Sequence, residues 1–403
     1  LAIHLIPKAA FVKRLTRFFT PAYTLSERIV GLDVFRAVAI LFVLLSHSIG
    51  FLGVRHPFRV GYFLGFLGVE LFFVLSGFLI GSILMKILYH ANGYLRLADV
   101  RAFWIRRWFR TLPAYYLVLM VWICLRLVLD FKSDQASVLG LHIVRYFFFV
   151  QNAVTPHPEF FNEAWSLAVE EWFYLLFPLV LLLHGRIVRH RQNGGGILLI
   201  ISAFIIFTAL VRFSVVWLEN PEWNTGVRRM MPLRLDSIGI GILFAWFCYF
   251  FPIAWRRHRI ALALTGLVLC GMSTMWLSTD VLDRDNTAGA SFFSKTGLFT
   301  LFSISFGLWL PLAQSVRTLP KWMARPVVFV SLISYSLYLT HGMILATCAK
   351  LPLSDLGIFS VGWLLCFLVA HFFYTIYEHP MTKLRDRVTK KATERVTVVE
   401  ADV

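Results

Sequence analysis

Apolar runs of about 20 residues recur along this chain from residue 37 to residue 377, separated by short polar or basic stretches. A helix of that length spans the hydrocarbon core of a bilayer. The pattern predicts spanning helices at 35–54, 63–89, 111–129, 165–184, 197–218, 231–251, 260–278, 295–314, 327–347 and 356–377. One further apolar piece, LHIVRYFFFVQNAV at 141–154, is only about half a span long. The polar stretch QNAVTPHPEFFNE follows at 151–163, with two prolines. Non-helical backbone at membrane depth must be buried in protein or line a wet cavity. The predicted fold is therefore all-α: a polytopic membrane bundle of about ten transmembrane helices, with a re-entrant or surface segment around 141–163 that borders an entrance or is an ordinary loop.

Charge placement sets the topology. Basic clusters fall in the N-terminal arm, at Arg96 to Arg110, Arg186 to Arg191, Arg256 to Arg259 and Arg317 to Arg325, and in the C-terminal tail. Ten crossings, with 141–154 not crossing, put all of these on one side, as the positive-inside rule requires of the cytoplasm. Both termini are then cytoplasmic, in what is expected to be a bacterial inner membrane. The domain reading is a basic cytoplasmic arm at 1–34, a transmembrane unit at 35–380 and a charged cytoplasmic tail at 381–403. No cleavable signal pattern is expected in the arm.

Composition agrees: 58% of residues are hydrophobic and 15% charged, where a soluble domain carries about 25% charged. The net charge of +17 does not indicate nucleic acid, because the cations sit between spans rather than on a soluble basic fold. The five cysteines are scattered in or beside apolar segments without metal-ligand spacing, so neither a disulfide framework nor a metal site is expected. Gly194-Gly195-Gly196 lacks the Lys-Ser/Thr of a phosphate loop and reads as a turn.

The candidate chemistry begins on the first span, GLDVFRAVAILFVLLSHSI, where Arg36 and His47 stand with ten residues between them. Intramembrane ionisable side chains are functional candidates by default. At 3.6 residues per turn the two return to nearly one face, roughly 16 Å apart along the axis. A cation near one surface and an imidazole far above it suit a long ligand with an anionic head and a reactive tip, such as an acyl-CoA. Imidazole titrates near neutrality and can take a proton from an attacking hydroxyl. The segment FWIRRWFRTLPAYY supplies Arg106, Arg107 and Arg110 with Trp108, a phosphate-gripping and base-stacking set that also fits a positive-inside anchor with an aromatic belt.

These features resemble the acyltransferase-3 family of integral membrane acyltransferases. The resemblance rests on the Arg36-x10-His47 spacing, GVELFFVLSGFLIG at 68–81, RWFR at 107–110, AWSLAVEEWFYLLFP at 164–178, RLDSIGIG at 234–241, SYSLYLTHG at 334–342 and YEHP at 377–380. It implies transfer of an acyl group, usually acetyl, from cytoplasmic acyl-CoA to a hydroxyl on the far side, commonly of a polysaccharide, lipid-linked saccharide or other glycoside. Glu70 stands where family members often have aspartate. The short tail is expected to mark the stand-alone form, without a fused hydrolase-like domain.

On this reading His47 is the general base. One of the adjacent Glu170 and Glu171 faces its cavity, Glu171 being the candidate catalytic partner. Arg36, Arg106, Arg107, Arg110 and Trp108 hold CoA. Glu70, Glu170, Trp165, Tyr174, Asp236 and His341 are candidates for the acceptor site, although Arg234 and Asp236 also fit a structural ion pair and His341 a structural hydrogen bond. Glu378 is expected to partner an arginine, and Ser76 with Gly77 to pack helices. No metal is expected. The rival class is a transporter or flippase, whose intramembrane charges mark proton pathways; the chain shows no repeated halves to favour it.

Overall fold

The computed structural model describes residues 28–51, 59–91, 93–129, 136–158, 160–188, 194–282 and 289–385. The expected basic arm up to residue 27 and the expected tail beyond residue 385 lie outside the described residues. Ten helices are long and apolar enough to cross a membrane. They are α1 (Val30–Phe51), α2 (Arg59–His90), α3 (Leu97–Leu129), α5 (Ala164–Val188), α6 (Gly194–Glu219), α7 (Leu235–Phe250), α8 (Arg259–Leu277), α9 (Gly297–Ser315), α10 (Lys321–Cys348) and α11 (Asp355–Phe373). A short α4 (Ala136–Phe147) lies between α3 and α5, and no strand occurs among the described residues.

α3 starts at Leu97, well before the hydropathy of the chain predicts a span. The arginines at 101–110 depress hydropathy without breaking the helix, because arginine is a good helix former; the first turn is closed by Asp99 Oδ2, which accepts from the backbone NH of Arg96 at 3.0 Å. α1 likewise begins at Val30, inside the expected arm. α4 has 12 residues, roughly 18 Å of helix, too short to cross. Its exit is fastened to the bundle: Tyr115 and Tyr116 donate to the carbonyls of Tyr146 and Phe147 at 2.9 and 2.8 Å. Trp172 Nε1 donates to Phe149 O at 3.0 Å, where the chain turns through a positive φ of 56°. Asn152 Nδ2 reaches Trp165 O and Arg229 O, so the 148–163 stretch is tied to the start of α5 and to the α6–α7 connection.

α2 is central and packs most extensively on α7 and α1. The α2–α7 crossing is close because Gly77 and Gly241 meet: a side chain on Gly77 would run into Ile238 O, and one on Gly241 into Val74 O. Small residues let helix backbones approach where lipid offers no hydrophobic drive to associate. The same crossing carries a fully buried ion pair, Arg234 Nη2 to Glu70 Oε1 at 2.6 Å, flanked by Ser237 and Ser303. Beside it Arg212 Nη1 pairs with Asp236 Oδ1 at 2.7 Å and Arg212 Nη2 donates to Thr300.

Glu70 and Asp236, expected at the acceptor site, are fully buried in the helix interfaces, each paired with an arginine. Arg234 and Asp236 do not pair with each other, since residues two apart on a helix point to different sides. Each finds its counter-ion on a neighbouring helix.

Candidate active site

α1 carries Arg36 toward one end of the bundle and His47 toward the other, roughly 16 Å apart along its axis. At the His47 end, α10 brings His341 against α1. His341 Nε2 lies 3.3 Å from His47 Nδ1, and the rings meet edge to face with centroids 4.8 Å apart. Glu163, immediately before α5, completes the group with Oε1 at 3.9 Å from His341 Nε2. Gly342 makes this possible, because the Glu163 carboxylate fills the space its side chain would take. His341 and Glu163 are buried and His47 is half-buried.

Backbone carbonyls decide the tautomers. His341 Nδ1 lies 2.8 Å from Tyr338 O and 3.1 Å from Leu337 O. Carbonyls only accept, so Nδ1 carries the proton and Nε2 offers a lone pair. His47 Nδ1 lies 2.9 Å from Val43 O and faces that lone pair, so it too is the N–H. The lone pair of His47 is therefore on Nε2, free to accept a proton. Burial raises the proton affinity of the Glu163 carboxyl, while the charges of His47 and Arg229 oppose that rise.

The nitrogens of His47 and His341 and a Glu163 oxygen lie within 4.8 Å of one another, and they form a candidate metal-ligand group among the described residues. Val43 O argues against that use. A metal on His47 Nδ1 would set a lone pair against a carbonyl 2.9 Å away, a distance that suits an N–H donor. The chemistry of the set fits a hydrogen-bonded proton acceptor better.

Toward the Arg36 end lie cavities whose walls stop short of His47, His341 and Glu163. A chamber of about 740 Å³ opens among α1, α2, α3, α7, α9, α10 and the residues that follow α11, lined by Arg28, Arg36, Lys86, Arg110 and Arg385, with Gln314 and Glu378 among its polar groups. A narrower passage of about 120 Å³ shares Arg36 and Arg110 and runs past Phe72, Phe73 and Ser76 to Ser166 and Tyr338. There the two hydroxyls hydrogen-bond at 2.5 Å. Tyr338 is the residue whose carbonyl holds His341. Arg106, Arg107, Arg110 and Arg385 line a third cavity of about 400 Å³. Arg36 is braced by Ser331 at 3.1 Å and by Asp33 at 3.5 Å; Asp33 also binds Arg28 at 2.6 Å.

The other expected residues fall into place differently. Glu170 accepts from Arg107 Nη2 at 3.3 Å and from Tyr174 Oη at 2.5 Å, and the guanidinium sits 4.1 Å over the Tyr174 ring. Glu171 is buried near Thr111 in the field of Arg107, and its Oε2 has no hydrogen-bond partner. Neither glutamate is beside His47. Both are a turn or more into α5, level with Arg107, and the carboxylate that reaches the histidines is Glu163. Arg107 lines the passage with its charge committed to Glu170, whereas Arg36 and Arg110 line both the passage and the chamber. Trp108 stacks on Trp104 and lines none of these three cavities. Glu378 takes a hydrogen bond from Ser336 at 2.5 Å and lies in the field of Arg110. Ser76, expected to pack, lines the passage and reaches Glu170 at 3.4 Å. The residues that sequence reasoning missed are Glu163, Ser166, Tyr338 and Gly342. The last three lie inside the AWSL and YLTHG stretches, the signal that could have found them.

The fold and site define a polytopic helical membrane protein with a histidine pair toward one end of the first span and arginine-lined cavities toward the other. Residues 29–378 match the acyltransferase domain of the acyltransferase-3 family, and the chain belongs to that family. It is similar to the O-acetyltransferase OatA of Staphylococcus aureus (strain NCTC 8325 / PS 47), 27% identical over 390 residues that cover 92% of this chain and 59% of that protein. A putative O-acetyltransferase of S. aureus (strain COL), SACOL0978, is 30% identical over 339 residues, covering 81% of this chain and 52% of the relative. The chain thus spans between half and two thirds of these relatives. No solved structure matches.

Proposed function

We propose that this protein transfers an acetyl or other short acyl group from cytoplasmic acyl-CoA to a hydroxyl of a carbohydrate-containing acceptor at the opposite face of the membrane. The observation that carries the reading is the passage from the Arg36–Arg110 chamber to the Ser166–Tyr338 pair, one step from His341 and His47. The family membership and the O-acetyltransferase names of the relatives support the class of reaction. Basic loops on the Arg36 side support its being cytoplasmic.

CoA phosphates are held at Arg36 and Arg110, and the extended arm lies along the apolar passage. Its thioester comes up beside Ser166 and Tyr338; one of these hydroxyls donates to the other, so the pair has one O–H to turn to the carbonyl as charge develops on oxygen. The acceptor hydroxyl gives its proton to His47 Nε2 while its oxygen attacks the thioester carbon. The resulting tetrahedral oxyanion collapses, the C–S bond breaks, and the thiolate takes up the proton from His47. His341 accepts the Nδ1–H of His47, and Glu163 offers negative charge to the imidazolium formed midway. The three residues thereby keep the base oriented through the cycle.

The test is purified protein in proteoliposomes with radiolabelled acetyl-CoA and an envelope glycan extract. Thiol release that depends on the extract, with label covalently on glycan, is the expected result. Label or glycan crossing the membrane without thiol release would make the protein a transporter instead.

A further inference from the structure

Each of four buried or half-buried arginines has a carboxylate at hand: Arg107 with Glu170, Arg212 with Asp236, Arg234 with Glu70, and Arg36 with Asp33. Arg228 differs. It ends the Trp223–Arg228 turn between α6 and α7, at the His47 end of the bundle. Its guanidinium lies 5.1 Å from the Trp165 ring and 5.6 Å from the Phe66 ring. Nη1 donates to Asn224 Oδ1 at 3.0 Å, while Nε is buried without a partner. No carboxylate lies within ion-pair distance of Arg228 among the described residues; the negative charge that acts on it is that of Glu70, which Arg234 already holds. Burial, and then the neighbouring Arg229, pull its proton affinity down to about 9, so it is still a cation at neutral pH. An unpaired cation in a desolvated site is costly and is kept where a partner arrives with function.

The location says which partner. The charge of Arg228 is felt at His47. Its platform Trp165 adjoins Ser166, where the donor passage ends, yet Arg228 does not line that passage or the chamber. The anionic head of the donor belongs at the Arg36 end, roughly 16 Å away along α1. A second anion is therefore wanted on the far side of the histidines, where the acceptor approaches.

We infer that the acceptor carries a carboxylate or phosphate close to the acylated hydroxyl, and that Arg228 pairs with this group while the hydroxyl faces His47. The inference rests on the transferase reading above. Trp165 and Phe66 hold the guanidinium, and Asn224 fixes its rotation, leaving Nη2 and Nε for the anion.

The experiment uses the full chain in proteoliposomes, acetyl-CoA, and an envelope glycan extract split by anion exchange into neutral and anionic fractions. Acetyl label should go into the anionic fraction. Arg228→Met should raise KM for that fraction at least tenfold, and Arg228→Lys should recover most of the loss. Removing phosphate enzymatically, or reducing carboxylates chemically, should abolish the preference and shows which anion is read. Label confined to the neutral fraction overturns the inference. So does a fall in kcat on both fractions at unchanged KM, which would mean that Arg228 serves the tetrahedral oxyanion instead. Normal elution and donor affinity of the Met variant exclude misfolding. Absence of thiol release from either fraction takes down the transferase reading itself, and this inference with it.

Discussion

The carboxylate of Glu163 rests where a side chain on Gly342 would stand, and it is this vacancy on α10 that lets the carboxylate reach His341 at 3.9 Å. Adding one methyl group there is a precise probe of the relay. Alanine suits a helix interior better than glycine, so Gly342→Ala should insert and fold. It must nevertheless push Glu163 away, and misplacement by about 1 Å can cost on the order of 10²-fold in rate. Turnover should fall by about that factor in Gly342→Ala. Adding Glu163→Gln to it should cost little more, because both changes strike one contact. Fully multiplicative losses would separate Glu163 from the histidines.

His47→Ala should reduce turnover by about 10²–10⁴ while CoA affinity persists, because only the base is removed and the arginines at the other end of α1 are untouched. Strong chelators should leave the wild-type rate unchanged, as the N–H of His47 toward Val43 requires. Activity lost to a chelator and restored by zinc would instead make His47, His341 and Glu163 metal ligands.

His157 gives a pH effect on stability. It is buried in the 148–163 stretch, Nε2 donates to Phe161 O at 3.0 Å, and Nδ1 has no partner. Burial holds its proton affinity down at about 4. The unfolded chain, with a pKa near 6.5, therefore binds more protons than the folded one between these values, and stability falls as pH drops through that window. The contribution is about 3 kcal/mol when fully expressed. Melting temperatures from pH 7 to 4.5 should decline less steeply in His157→Gln than in wild type. Parallel slopes would mean that another group governs the acid limb.

How much of this was legible in the sequence follows from the kind of signal each part leaves. The spans were readable because lipid demands long apolar runs, and α4 because it is too short for one. The start of α3 was not, since arginines at 101–110 lower hydropathy while leaving the helix intact. Arg36 and His47 could be paired because one helix fixes their separation. Glu163 could not be seen: it lies in a polar loop, and the contact it makes is with α10, far along the chain. Glu170 and Glu171 drew attention as carboxylates in an apolar span, but helix phase alone does not tell which neighbour they meet. The neighbour was Arg107.

That last contact makes two arginines one turn apart behave oppositely. Arg107 is paired with Glu170 and covers Tyr174, whereas Arg110 is exposed and lines all three cavities. Removing one member of this half-buried pair leaves the other charge uncompensated in a partly desolvated site, at a cost below the roughly 3–5 kcal/mol of a fully buried pair. Arg107→Ala should therefore lower the melting temperature and yield, and Glu170→Gln in the same chain should restore part of the loss. Arg110→Ala should fold normally but weaken acetyl-CoA binding by about tenfold, the worth of a charge-assisted hydrogen bond of roughly 1.5–3 kcal/mol. Its affinity should also depend less on salt, because one phosphate-directed cation is gone. Calorimetry with acetyl-CoA and thermal melts on the two variants measure both effects. Equal loss of donor affinity with no loss of stability in Arg107→Ala would put Arg107 on the donor phosphates and leave Glu170 unpaired in the working protein.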